Sequence, residues 1–266
     1  MTTWFKKGLS GGAIKLLALI LMVFDHVHQM FLQLGAPGWL KWLGRPVGPI
    51  FIFMCAEAMA HTRNRKRYLL LLLAGFELMN ILSYCLESAM PSQAVLMNSI
   101  FGTLFLTGLY IVFVDMLIAG VKARKWGKAA LALLLILMPF AVSAGVLALM
   151  GLEGLPFFAY PLLLAIPTPV TVEAGFTFPL MGVLFYLLRG HRWWRLAPLV
   201  VFSALNFAMG DWLEGLSIFA LLPLMLYNGE RGENRHFFQK KYFFYIFYPA
   251  HIYFLYILAW LVIRFQ

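Results

Sequence analysis

In this chain of 266 residues, hydrophobic side chains make up 62% and charged ones only 12%, about half the charged share of an ordinary soluble domain. That composition excludes a water-soluble enzyme and a disordered chain, and it predicts an all-α, polytopic membrane bundle forming one domain over residues 1–266. The formal net charge of +10 would suit nucleic acid, but the placement of the cations assigns them to membrane topology, so no nucleic-acid partner is expected.

The first apolar run, Ala13 to Gln33, carries Lys15, Asp25, His26 and His28. About 20 apolar residues span a bilayer, and ionisable groups inside a span are costly enough to mark functional candidates. Lys15 and His26 are separated by close to three helical turns, so they share one stripe, roughly 16 Å apart along the axis. A cation at the membrane surface and an imidazole at depth suit an anionic reagent arriving from one side. The structural alternative is a snorkelling lysine and a hydrogen-bonded core histidine. Asp25 lies about 100° round the helix from His26, so its partner is expected on another span. Lys6 and Lys7 precede a run too long for a signal-peptide core, and the run is expected to stay as an anchor.

The second run opens with Gly44-Arg45-Pro46-Val47-Gly48-Pro49, contains Glu57, and ends in a basic cluster of Arg63, Arg65, Lys66 and Arg67. Topology alone explains such a cluster, as an ion pair explains Glu57. The other reading is an anion site, because arginine forks match phosphate oxygens. Glu77 and Asn80 follow one turn apart in the third run. Asn98 opens the fourth, and Asp115 lies towards its inner end; such groups join helices by hydrogen bonds as often as they bind anything. Cys55 and Cys85 fall in apolar runs without metal or disulfide spacing, so both are expected in the core and no metal is expected.

The apolar runs lie near 13–33, 46–61, 68–86, 98–120, 128–150, 174–189, 195–209, 212–228 and 242–264. This predicts about nine to ten transmembrane helices. Alternate connections hold Lys6, Lys7 and Lys15; Arg63, Arg65, Lys66 and Arg67; Lys122, Arg124, Lys125 and Lys128; Arg189, Arg192 and Arg195; and Arg231, Arg235, Lys240 and Lys241. Only Lys41, Arg45 and Arg264 of the 21 Lys and Arg fall on the other side. The positive-inside rule then places the N-terminus in the cytoplasm. Residues 156–167, bounded by prolines, are too short to cross and read as a re-entrant or interfacial helix.

The last informative stretch is Tyr227-Asn228-Gly229-Glu230-Arg231-Gly232, followed by Tyr245-Ile246-Phe247-Tyr248-Pro249-Ala250-His251. The two glycines predict a sharp turn whose backbone N–H groups join Arg231 in holding an anion. His251 enters from the inner side to a depth comparable with His26, and Pro249 frees backbone groups beside it.

These residues, in this order, carry a resemblance. Ile14-Lys15-Leu16 with Asp25-His26, Gly44-Arg45-Pro46 with Pro49-Ile50-Phe51, Glu57 with His61-Thr62-Arg63-Asn64, Tyr227 to Gly232, and Tyr245 to His251 resemble the TraX family. That family is associated with N-terminal acetylation of pilin. The Lys15–His26 spacing is also similar to the basic-residue-to-histidine pattern of the wider transmembrane acyltransferases, with Lys15 in place of the commoner Arg. The resemblance implies a membrane acetyltransferase in the bacterial inner membrane, taking acetyl-CoA from the cytoplasm and passing its acetyl group to a protein or glycan acceptor. It implies a catalytic histidine, His26; together with the depths and charges read above, Asp25 and His251 are expected as further catalytic residues, Lys15, Arg63, Arg65, Arg67 and Arg231 as CoA contacts, and Arg45, Glu57, Asn98, Asn228 and Tyr248 around the acceptor.

The chemistry agrees, since a histidine titrates near operating pH and suits proton removal from an amine or hydroxyl. Direct attack and an acetyl-histidine intermediate both stay open. Alternatives are O-acetylation of an envelope glycan or lipid-linked sugar, and a transporter or flippase without acyl transfer. Against transport stand the lack of an internal repeat and the concentration of ionisable groups on the first, second and last runs. A non-catalytic scaffold would not need Lys15, His26 and His251 at such depths.

Overall fold

Each of the nine apolar runs forms helix in a computed structural model, which describes residues 8–92, 96, 99–156, 159–232 and 243–265. Six stretches are long and apolar enough to cross a membrane: Gly11–Leu34, Trp39–His61, Arg65–Ala89, Ile100–Lys122, Trp126–Met150 and Phe243–Arg264. Three more are apolar but shorter, namely Thr177–Gly190, Trp194–Ala208 and Trp212–Met225. They fall short of the roughly 20 residues that a perpendicular crossing needs. Among the described residues there is no strand; an isolated parallel bridge joins Leu9 to Tyr227.

The α-helices are α1 (Gly11–Phe31), α2 (Trp39–Gly44), α3 (Val47–His61), α4 (Arg65–Ala89), α5 (Ile100–Lys122), α6 (Trp126–Met150), α7 (Ala159–Leu164), α8 (Thr177–Leu187), α9 (Ala197–Ala208), α10 (Trp212–Gly215), α11 (Leu221–Met225) and α12 (Phe243–Arg264). They gather into two compact units. One holds Met1–Met54, Glu87–Val95 and His191–Gln266, and the other Cys55–Leu86 and Leu96–Gly190.

In the first unit α1 packs on α2 and α12. Its buried residues Ile14, Ala18, Leu19 and Met22 follow the helical period, and Asp25 and His26 come one turn further on. Gly210, at a φ of +84°, turns the chain from α9 into α10; a left-handed residue is cheap only without a Cβ. The edge of one ring in the Trp42–Trp212 pair meets the other at 5.6 Å between centroids, joining α2 to α10. Arg195 is buried rather than solvated, with its guanidinium 3.9 Å from the Phe53 ring centre, a cation–π contact.

In the second unit α5 is the central element, packed by α6 and α8. Small residues let helix backbones approach in the manner of membrane bundles. Gly75 of α4 faces the Phe101 ring, while Gly102 of α5 faces Phe76. Thr103 Oγ1 donates to the Glu173 carbonyl at 3.1 Å, tying α5 to the segment before α8. Among its described residues, the proline-bounded stretch holds the six-residue α7. Cys55 is buried, but Cys85 is exposed on α4, contrary to the core position expected for both. In a bilayer the outward face of a helix is as apolar as its core, so hydropathy does not separate them.

Candidate functional site

α1 and α12 bring together two histidines from opposite ends of the chain. His26 Nδ1 lies 2.8 Å from His251 Nε2, and His251 Nδ1 lies 2.8 Å from the Phe247 carbonyl one turn earlier in α12. The Phe247 ring stacks on His251 at 4.9 Å with 14° between planes. Tyr248, buried, sits 6.1 Å from the His26 ring and 5.9 Å from that of His251. His251 itself is only 9% exposed.

Beside this pair runs an ion network. Arg45 occupies the break between α2 and α3, where Pro46 and Pro49 interrupt the backbone ladder. Pro49 has no N–H to give to the carbonyl four residues back, which is that of Arg45. Ser217 Oγ donates to that carbonyl instead, at 3.2 Å. The guanidinium donates to both Asp25 oxygens at 3.2 and 3.3 Å, to Glu214 and, through Nε, to the Lys41 carbonyl at 3.3 Å. Asp25 thus finds its partner on another element, as its place on α1 predicts. A Cβ at Gly44 would overlap the Asp25 carboxyl group, so only glycine admits this approach. Nothing in the sequence around Glu214 signals an arginine so far away in the chain. Its own backbone N–H is capped by Asp211 at 3.0 Å.

At the other end of α1 the chain from Leu226 to Arg231 lies along residues 8–12. Leu9 N–H donates to the Leu226 carbonyl and Asn228 N–H to that of Leu9, at 2.7 and 3.0 Å. Gly11 and Gly12 N–H groups donate to the carbonyls of Glu230 and Arg231, at 2.8 and 3.0 Å, and Ser10 Oγ accepts from Ala13 at 3.3 Å. These bonds satisfy the donors that a helix start leaves open. The turn therefore presents carbonyls to α1, and its Glu230 N–H is taken by Asn228 Oδ1 at 2.9 Å, which departs from the expected cradle of N–H groups. Asn228 acts as a clamp here, its Nδ2 also reaching the Gly8 carbonyl at 3.4 Å. Lys15 and Arg231 are both exposed near this helix start.

In the second unit Arg65 is held by its own surroundings. Its guanidinium donates to Asp115 Oδ2 at 2.6 Å, Tyr186 Oη at 2.9 Å and the Met59 carbonyl at 2.9 Å. Tyr186 Oη in turn donates to Asp115 at 2.7 Å. Those partners occupy the fork that a phosphate would need. Arg63 and Arg67 are exposed, with Asn64 Oδ1 accepting from Arg67 N–H at 2.8 Å to start α4. Glu57 is half-buried, its carbonyl 3.0 Å from His61 Nδ1. Asn98 lies outside the described residues.

A family model described as TraX protein matches residues 10–259, a stretch that contains every residue of the histidine pair and the Arg45 network. The chain belongs to the TraX family. No curated protein and no solved structure matches it. For this TraX-family chain the matched region also takes in both units, so the membership belongs to the whole helical assembly and not to the first unit alone.

Proposed function

We propose that the chain is a membrane-embedded acetyltransferase that moves an acetyl group from cytoplasmic acetyl-CoA to an amine or hydroxyl acceptor at or across the bilayer. The observation that carries this reading is the His26–His251 contact of 2.8 Å, placed roughly 16 Å along α1 from Lys15. Lys15 and Arg231 supply positive charge for an anionic reagent at one end of the helix, and the imidazoles supply a base at depth. Bound acetyl-CoA would contribute an activated thioester. His26 takes the acceptor's proton, while Asp25, Arg45 and Glu214 hold their part of α1 in place. The family resemblance favours a pilin N-terminal amine as acceptor, and a glycan hydroxyl is the alternative within the same chemistry.

Thiol release from purified protein tests the reading. Free CoA should appear only when acetyl-CoA and an acceptor peptide or sugar are both present; a transporter would leave the thioester intact. Replacing either Lys15 or Arg231 by Ala should raise KM for acetyl-CoA roughly tenfold or more, since one charge-assisted contact contributes about 1.5–3 kcal/mol and about 1.4 kcal/mol is tenfold. Turnover should change less, because this binding is common to ground and transition states. An unchanged KM would leave both cations as topology signals.

We further propose that the chain crosses the bacterial inner membrane an odd number of times with the N-terminus in the cytoplasm, on the strength of the cation distribution. Cysteines placed singly at Arg63 and Arg67 should resist a membrane-impermeant thiol reagent applied from the periplasm. Labelling there would reverse the orientation.

A further inference from the structure

Two hydrogen bonds end on His251, and one of them has a direction that cannot be reversed. A backbone carbonyl has no proton to give, so the 2.8 Å contact with Phe247 O puts a proton on His251 Nδ1. A neutral imidazole carries one N–H, which makes His251 Nε2 an acceptor. Its 2.8 Å neighbour, His26 Nδ1, is then the donor. Applied to the second ring, the same rule leaves the lone pair on His26 Nε2. The main chain of α12 thereby sets the tautomer of a ring on α1.

We infer that His251 is a positioning residue, locked by the Phe247 carbonyl, which holds His26 as the Nδ1–H tautomer and makes His26 Nε2 the atom that takes the acceptor's proton. The enforcement matters because a free neutral histidine side chain in water favours the opposite tautomer, with the proton on Nε2. The Phe247 ring, stacked on His251, restricts the ring rotation that would undo the lock. The chemical role rests on the acetyltransferase reading above; the tautomer does not.

The step balances with one proton in and one out. The acceptor nitrogen or oxygen bonds the acetyl carbonyl carbon as its proton passes to His26 Nε2. The carbon–sulfur bond breaks, the sulfur leaves with the electron pair, and it receives the proton back from Nε2. The Nδ1–H bond to His251 persists throughout, and His26 returns to its starting tautomer.

Histidine-directed ¹⁵N NMR of the wild-type protein, with nitrogen signals assigned through their couplings to ring hydrogens, reads the tautomer without any substitution. Both rings should show a protonated Nδ1 and a bare Nε2 at a pH where they are neutral. A proton on His26 Nε2 would overturn the inference while leaving the acetyltransferase reading untouched. Substitution reads the consequence. His251→Gln can place its amide oxygen where Nε2 lies and should keep kcat within about tenfold, whereas His251→Leu should lose roughly 10⁴, the cost of a wrong tautomer in an Asp-oriented histidine. KM for acetyl-CoA should hold in both, which also reports that they fold. Equal loss in the Gln and Leu variants with KM unchanged would remove the positioning role. Absence of thiol release from the wild type would remove the chemistry and leave the NMR result standing.

Discussion

His26→Ala should abolish acetyl transfer while acetyl-CoA still binds. Loss of a general base costs roughly 10² to 10⁴ in rate, and loss of an obligatory acetyl carrier should cost more. Binding should survive because the start of α1, beside Lys15, is tied to the Glu230–Arg231 turn by the Gly11 and Gly12 backbone bonds, which His26 does not share. The variant loses the partner of His251 Nε2, and an unsatisfied buried acceptor costs about 1–3 kcal/mol. Thermal unfolding measured beside turnover separates that structural cost from the chemical one. Near-normal turnover in His26→Ala together with an inactive His251→Ala would pass the role to His251 and reduce the Lys15–His26 stripe to packing.

Arg45→Ala should produce the largest loss of stability. One guanidinium serves two carboxylates, Asp25 and Glu214, and removing it leaves both without their shared cation. Breaking a buried pair in this way costs about 3–5 kcal/mol. The side chains here are 19% exposed for Arg45, 26% for Asp25 and 31% for Glu214, which places the expectation at the lower end, about 3 kcal/mol. Arg45→Lys should recover only part of it, since an ammonium has no planar fork to offer two carboxylates at once. Neutralising all three, as Asp25→Asn, Arg45→Met and Glu214→Gln, should recover more than Arg45→Lys, because no charge is then left unpaired. Thermal unfolding in detergent micelles measures the series. A melting curve for Arg45→Ala within about 0.5 kcal/mol of the parent, the range of ordinary surface substitutions, would show that the network contributes little.

Much of the architecture was legible in the sequence. The nine apolar runs all proved helical, because length and hydropathy are set by the medium, and an apolar medium forces the backbone to satisfy itself within each segment. The Lys15–His26 stripe followed from the helical repeat, and the need of Asp25 for a partner elsewhere followed from its angle on α1. Pro249 marked where backbone groups would be freed. By contrast, Cys85 was misplaced because a lipid-facing residue and a core residue carry the same hydropathy.

Which polar groups meet was decided by the tertiary structure alone. The sequence suggests an ion pair for Glu57 and names no partner for Asp25 or Asp115. The fold gives Arg45 to Asp25 and Glu214 and spends Arg65 on Asp115. The turn from Gly229 to Gly232 likewise had the right glycines for an N–H cradle, yet α1 needed carbonyls for its first turn and took them. A helical repeat fixes the face and depth of a side chain from local geometry. Its partner depends on which helix lies alongside and at what height, and in an apolar surround every unpaired donor or acceptor competes for the few others within reach.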